Sequence, residues 1–163
     1  MSTDTLSLRV WEVMSRDVLA VEDRESATKA AQTLRLNRVA GMPVINEHMQ
    51  VVGLIERAAL GRLRNQTVGE VMAPPLGTVD EDRPVTEAAD LLLQRRMPAI
   101  AVVNHGKLVG RLSRHGLVSF LCRHQWVCQT CGGAVRGVVP PSGCPECGGP
   151  ESGFRLEECV PGL

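Results

Sequence analysis

Cys128, Cys131, Cys144 and Cys147 are the residues whose type and spacing could do chemistry. They stand as Cys128-Gln129-Thr130-Cys131-Gly132 and Cys144-Pro145-Glu146-Cys147-Gly148, two thiol pairs with the same internal spacing. Two such pairs can converge as four thiolates around one tetrahedral metal ion. The glycine after each pair suits that use. A thiolate ligand needs backbone N–H donors folded round it, and the tight knuckle often requires a positive φ that Gly adopts without strain. The competing use of the same four residues is a pair of disulfides, which belongs to small secreted domains.

The elements that must position these thiols come from a chain of 163 residues, room for one ordinary globular domain and a small appendage. Hydrophobic residues make up 44% and aromatics only 2%, with no Tyr, so a core must be built from Val, Leu, Ile, Ala and Met. That supply suits strands alternating with small-residue helices. Lys plus Arg equals Asp plus Glu at 18 each, so no global field draws the protein to nucleic acid or membrane. No apolar run reaches membrane-span length, and Met1-Ser2-Thr3-Asp4 has no basic-then-apolar signal pattern. A soluble, cytoplasmic protein is expected, where thiols persist as metal ligands.

An internal repeat organises the chain before the cysteines. Val10-Trp11-Glu12-Val13-Met14 returns as Val68-Gly69-Glu70-Val71-Met72. At the same offset Val21 matches Val79, Ala30-Ala31 match Ala88-Ala89, and Val44-Ile45-Asn46 match Val102-Val103-Asn104. Gly53 matches Gly110 after a one-residue deletion. Each copy reads as a lead ending in Met, a strand (Val18 to Val21; Gly77 to Val79), a helix, two strands joined by a turn, and a closing helix. Ala27, Ala30, Ala31 and Leu34 recur at helical spacing behind Ser26, a candidate N-cap. Pro84 and Glu87 favour the start of the matching helix, whose buried face is Ala88, Ala89, Leu91 and Leu92. The hairpins are Pro43 to Ile55, turning at Asn46 to Gln50, and Ile100 to Leu112, turning at Asn104 to Lys107. The closing helices run near Arg57 to Arg64 and from about Arg114 to Arg123.

That order of elements, with Val-x-x-Val-Met at the head, Gly41-Met42-Pro43-Val44-Ile45 in the middle and Val52-Gly53-Leu54-Ile55 near the end, resembles a CBS domain. Two in tandem resemble a CBS pair, or Bateman module, over about residues 6 to 122. The resemblance implies an α/β (α+β) fold of two pseudo-twofold related β-α-β-β-α repeats with two clefts between them. It also implies a homodimer and an adenine nucleotide (AMP, ADP or ATP) or related adenosyl ligand in the clefts. The family's signature after the last strand is Gly, apolar positions, Ser or Thr, two variable residues, then Asp, where the hydroxyl meets phosphate and the carboxylate holds the ribose. The first copy departs from it: Glu56 replaces the hydroxyl and Ala59 the Asp. The second keeps Ser113 but has Gly116 at the Asp position. The ligand candidates are therefore Arg111, Ser113, Arg114 and His115, around the start of a helix where N–H groups favour an anion. The plainer use of Ser113 is to cap that helix with both arginines solvated. Met42-Pro43 and Met97-Pro98 are read as core and strand-shaping residues.

Behind the repeat, Leu117, Val118, Phe120 and Leu121 give the last helix an apolar face, with Cys122 read as a small buried residue on it. The segment from Trp126 is rich in turns: Gly132-Gly133, Pro140-Pro141 and Gly148-Gly149-Pro150. It cannot support a large core, so metal binding must provide much of its folding free energy. Trp126 and Phe154 flank the knuckles as a small aromatic cover. Trp126-x-Cys128, Cys131-Gly132, Pro140-Pro141, Cys144-Pro145-x-Cys147-Gly148 and Phe154 resemble a zinc ribbon, more narrowly the rubredoxin-like ribbon of rubrerythrin-type proteins. That resemblance implies zinc at the four cysteines, with iron as the alternative, since tetrahedral sulfur accepts either. Cys159 lies beyond the site as a tail residue.

Residues 122–163 carry three Arg against four Glu, and a divalent metal on four thiolates adds further negative charge. Such a surface disfavours phosphate contacts and favours a protein partner. No catalytic constellation stands out, so no enzyme is expected. The division expected is repeat 1 at 6–64, repeat 2 at 65–122 and the ribbon at 124–163. The function expected is a cytoplasmic regulatory or sensor protein with a ligand-binding CBS pair coupled to a metal ribbon. The alternatives are a rubredoxin-like electron-transfer or redox-sensing protein with iron, and a transcription-associated adaptor.

Overall fold

The computed structural model describes residues 8–60, 65–75 and 77–159. The expectations that fall on the first four residues, on the helix at 61–64 and on the domain ends at 6 and 160–163 lie outside the described residues. The fold is mixed α/β, with five α-helices and three three-stranded sheets among the described residues.

In the first copy a one-turn helix α1 (Val10–Val13) precedes β1 (Val21–Glu22), α2 (Ala27–Leu36), β2 (Gly41–Ile45) and β3 (Val51–Glu56). The second has α3 (Val68–Val71), β4 (Thr78–Asp80), α4 (Val85–Gln94), β5 (Ala99–Asn104), β6 (Lys107–Ser113) and α5 (Arg114–Arg123). The strand expected at Val18 to Val21 begins only at Val21, and its partner is shifted to Thr78–Asp80. Parallel pairing sets both limits: Val21 lies opposite Val44, and Thr78 to Asp80 lie opposite Ala101 to Val103. Of the closing helix expected in the first copy, the described residues form a 3-10 turn over Arg57–Leu60.

The buried faces follow the repeat. Ala27, Ala30 and Leu34 are buried on α2, and Val85, Ala88 and Leu92 on α4. Each helix thus commits one apolar stripe, at helical spacing, to a core. Ser26 and Pro84 stand at the two N-cap positions without a side-chain capping bond.

The chain forms two compact units, one of Met1–Met14, Asp82–Ala99 and Leu112–Leu163, the other of Ser15–Glu81 and Ile100–Arg111. In the second unit Leu34, Met42, Val44, Ile55 and Val68 pack with Val21 and Ala30 into one apolar cluster. Val68 belongs to the lead of the second copy, yet it fills the core of the first. The backbone explains why. Val68 N–H donates to Glu25 O at 2.8 Å, and Ala27 N–H donates to Gln66 O at 2.9 Å. In the other unit the relation is reversed: Val10 N–H donates to Arg83 O at 3.0 Å and Val85 N–H to Leu8 O at 2.8 Å. Each lead is thereby exchanged onto the opposite copy.

Both leads start with the same device, a carboxylate that folds back on the preceding amide. Glu12 accepts from Arg9 N–H at 2.6 Å, and Glu70 accepts from Thr67 N–H at 2.7 Å and from the Thr67 hydroxyl at 3.1 Å. The Thr67 amide, and then its hydroxyl, hold the Glu70 carboxyl below its usual value of 4.5.

The last sheet covers the segment expected as a ribbon: β7 (His124–Cys128) lies between β8 (Ala134–Val135) and β9 (Phe154–Glu158). β7 pairs with β9 antiparallel over its whole length, from His124 opposite Glu158 to Cys128 opposite Phe154. Trp126 and Phe154 are buried, and Trp126 Nε1–H donates to Gly137 O at 3.0 Å.

Two outcomes test this packing. Leu34→Ala, at a site with no exposure, should lower the unfolding free energy by about 2–5 kcal/mol in urea titration, whereas Leu36→Ala, at 75% exposure, should change it by roughly 0.5 kcal/mol or less. Glu70 favours the fold in its ionised form. Its contribution is present above the unfolded value of 4.5 and is lost as the pH falls through the lower folded value. Glu70→Gln should therefore lower the melting temperature at neutral pH, and the gap to the parent protein should close as the pH falls below 4.5.

Candidate functional site

The four candidate thiols meet. Cys128 sits at the end of β7, Cys131 in the turn that follows, and Cys144 and Cys147 in the later loop, all in the same compact unit. Their Sγ atoms lie within 4.8 Å of one another. Cys128 Sγ is 3.8 Å from Cys147 Sγ, and Cys131 Sγ is 3.5 Å from Cys144 Sγ. A tetrahedron with metal–sulfur bonds of about 2.3 Å has sulfur–sulfur edges of about 3.8 Å, whereas a disulfide needs about 2.05 Å. The spacing fits the first and not the second, and all six cysteines are free.

The two knuckles are built alike. Gly132 N–H donates to Cys128 O at 2.8 Å, and Gly148 N–H donates to Cys144 O at 2.9 Å. The chain turns at Gly132 with φ +78° and at Gly148 with φ +72°, the left-handed region the sequence expectation assigned to these glycines. The second glycine of each doublet was not foreseen as part of the site. Cys128 N–H donates to Gly133 O at 2.9 Å and Cys144 N–H to Gly149 O at 2.8 Å, closing each knuckle. Gly133 N–H also points to Cys131 Sγ at 3.4 Å. Gly149 packs directly on the cluster: a Cβ there would be in van der Waals contact, 3.4 Å from Cys147 Sγ and 3.6 Å from Cys128 Sγ. The signal for these roles was in the chain as a Gly-Gly doublet after each cysteine pair.

These amides set the charge of the thiols. The Cys131 and Thr130 amides bring Cys128 down to about 6, so this sulfur is poised as a thiolate. The Gly133 amide pulls Cys131 down, but the neighbouring Cys147 and Cys144 and burial outweigh it and push the thiol up to about 12. Cys147 is also raised: the Gly149 amide and Cys131 favour its thiolate, but burial with the Cys144 and Cys128 contacts prevails. Four sulfurs this close cannot all be anionic without a cation between them, and that is the electrostatic condition a divalent metal would satisfy. Cys128 and Cys144 are buried and Cys131 and Cys147 exposed, so solvent meets the cluster along one edge.

The other candidate residues are arranged differently. Ser113 is the N-cap of α5, and its Oγ accepts from Gly116 N–H at 2.9 Å. Arg114 donates from Nε to Met97 O at 2.6 Å, while its own N–H donates to Pro98 O at 3.1 Å. Arg111 on β6 and His115 on α5 are exposed. Ser113 and Arg114 are thus held by bonds within the chain, the capping use that the sequence left open beside ligand binding. Glu56 ends β3 and is exposed, and Ala59 falls in the 3-10 turn after it.

Cys122 corrects an expectation, because it is exposed on α5 rather than buried. His124 is not one of the clustered ligands. Its Nδ1 bonds to Phe120 O at 3.0 Å and its ring stacks on Phe120 at 4.0 Å. It therefore ends α5 and opens β7 with no intervening loop.

Comparison with known proteins bears on the repeat. A CBS-domain family profile matches residues 10–61 and again 68–123, ending before the first clustered cysteine. The protein MK0525 of Methanopyrus kandleri is 28% identical over 113 residues, which are 64% of this chain and 58% of that protein. Among solved structures, CBSX2 of Arabidopsis thaliana in complex with AMP is 26% identical, covering 68% of this chain and 93% of its own, at a TM-score of 0.61. The CBS pair of MJ0100, in complex with 5-methylthioadenosine and S-adenosylmethionine, is 21% identical and covers 69% of this chain and 94% of its own, at a TM-score of 0.59, which shows the fold. With these two matched segments, this chain belongs to the CBS-domain family.

Proposed function

We propose that this protein is a regulatory sensor in which a CBS pair binds an adenosyl-type ligand and passes its state to a metal-bound ribbon. The observation that carries the reading is the unbroken path from ligand candidate to metal candidate. Ser113 caps α5, α5 ends at Arg123, and β7 runs on from His124 to Cys128. A change at the start of the helix has no loop in which to be absorbed before it reaches the first thiol. The domain division of 6–64, 65–122 and 124–163 belongs to this proposal.

The ligand binds at the second copy, where Arg111, Ser113, Arg114 and His115 offer positive charge and a hydroxyl to the anionic group of an adenine nucleotide or related adenosyl ligand. The binding of AMP by CBSX2 supports the class of ligand. Gly116 at the family's Asp position removes the usual ribose acceptor, so recognition rests on the anionic or adenine end. The ribbon holds zinc through Cys128, Cys131, Cys144 and Cys147, and the ion supplies the charge that lets four thiolates share one site. The protein acts through binding rather than catalysis, in the cytoplasm, as a homodimer formed through the CBS module. Exposed Trp11, Leu93 and Val118 on α1, α4 and α5 support such an interface. A second reading places iron in the ribbon, as a redox-sensing or electron-transfer site. It is favoured by the exposure of Cys131 and Cys147, which would bring an iron centre within reach of a redox partner. The negative charge of the ribbon supports a protein partner over nucleic acid for either metal.

Elemental analysis should find one metal equivalent per chain, and visible absorption separates the two metals, since oxidised iron–thiolate is coloured and zinc is not. Cys144→Ser should lose that equivalent together with the ribbon's ordered amide signals. Structural zinc contributes on the order of 10–16 kcal/mol to folding of such modules. Retention of metal and fold in Cys144→Ser would sink the assignment.

A thermal-shift panel of AMP, ATP and S-adenosylmethionine tests the other half of the proposal. A ligand at about a hundredfold over its dissociation constant should add roughly 2.7 kcal/mol to stability. Ser113→Ala/Arg114→Ala lowers the baseline by about 1 kcal/mol through loss of the cap, so the readout is the ligand-dependent shift alone. An undiminished shift in that variant would remove Ser113 and Arg114 from the site.

A further inference from the structure

Two cysteines are left over when the quartet is set aside. Cys122 lies in the last turn of α5, and Cys159 directly follows β9. They are far apart in sequence, but the ribbon brings their chain segments together. The antiparallel register of β7 on β9 begins with His124 opposite Glu158. One step beyond it, Cys159 N–H donates to Arg123 O at 2.5 Å. That bond fixes the backbone of Cys159 against the residue adjoining Cys122. Cys122 is exposed and Cys159 half-buried, so one thiol is open to solvent, and the backbone of the other is bonded to the residue next to it. Both belong to one compact unit.

We propose that Cys122 and Cys159 form a thiol-oxidation site, separate from the metal cluster, that takes a small peroxide and closes as an intramolecular disulfide. The exposed Cys122 thiolate attacks one peroxide oxygen, the O–O bond breaks, and the products are a sulfenic acid on Cys122 and water. The Cys159 thiolate then attacks the Cys122 sulfur, the S–O bond breaks, and the oxygen leaves as a second water with the remaining proton. Two thiols and one hydrogen peroxide thus give one disulfide and two waters.

The position gives the bond a consequence. It would join the end of α5 to the end of β9 and enclose the whole ribbon, all four clustered cysteines included, in one covalent loop. A ribbon held together by a metal would gain a second closure that acts on the same chain ends. Oxidation would also fix the junction through which α5 meets β7. This inference does not depend on the identity of the metal or on any nucleotide.

The test uses the full-length protein as purified, treated with a small excess of hydrogen peroxide, alkylated and digested with trypsin without reduction. The two thiols fall in separate, recognisable peptides, His115–Arg123 and Leu156–Leu163. These two should be recovered joined, from the monomer band of a non-reducing gel, and should separate on reduction. Cys159→Ser should abolish the joined species and leave Cys122 as a sulfenic acid that dimedone labels. Recovery of Cys122 alkylated throughout would overturn the proposal. So would its appearance joined to Cys131 or Cys147, or to Cys122 of a second copy in a dimer band.

Discussion

The fold depends on main-chain hydrogen bonds by which each copy lends its leading segment to the other. β1 has two residues and β4 three, too little strand to close a core beside one ten-residue helix. The missing apolar side chain comes from the opposite lead: Val68 enters the cluster of Leu34, Met42 and Ile55, while Val10 is buried in the other unit. The bonds of Val68 to Glu25 and of Val10 to Arg83 hold these valines in place, and their partners Ala27 and Val85 start α2 and α4. Neither copy can satisfy its helix start alone. The tandem arrangement is therefore a physical requirement of the fold, and it explains why compact units each draw on both copies.

The ribbon rests on a different constraint. Its three strands bury Trp126, Cys128, Cys144 and Phe154, far less apolar surface than the CBS pair buries. Two of those four residues are members of the thiol cluster. The interior of this small sheet and its thiol cluster thus share residues, and a metal bound there would couple its affinity to folding. The repeated knuckle, with its amides turned to sulfur and its two left-handed glycines, is how so short a chain shapes that interior.

α5 joins these two regimes. Its first turn is closed by the Ser113 hydroxyl and by the bonds of Arg114 to Met97 and Pro98. Its last turn is closed by His124 on Phe120, and the next bond along is already that of the ribbon sheet. The proposed coupling runs through this helix, whose two ends are tied to different structures.

The sequence by itself determined what local pattern and side-chain chemistry can encode. The thiol quartet, the glycines of its knuckles, the buried faces of α2 and α4 and the span of α5 all depend on spacing along the chain. Repetition made the tandem α/β fold legible, because matched apolar positions must fill matched cores. Only the tertiary structure decided the exchange of leads, since a one-turn helix carries no local sign of which copy it will complete. It set the length of β1 and β4 through parallel partners distant in sequence, and it exposed Cys122, whose helix position looked apolar. It also committed Ser113 and Arg114 to bonds within the chain, a choice made by the neighbouring carbonyls of Met97 and Pro98. Finally it brought Cys122 and Cys159 to one strand end, because antiparallel register, unlike spacing, joins residues from opposite ends of a segment.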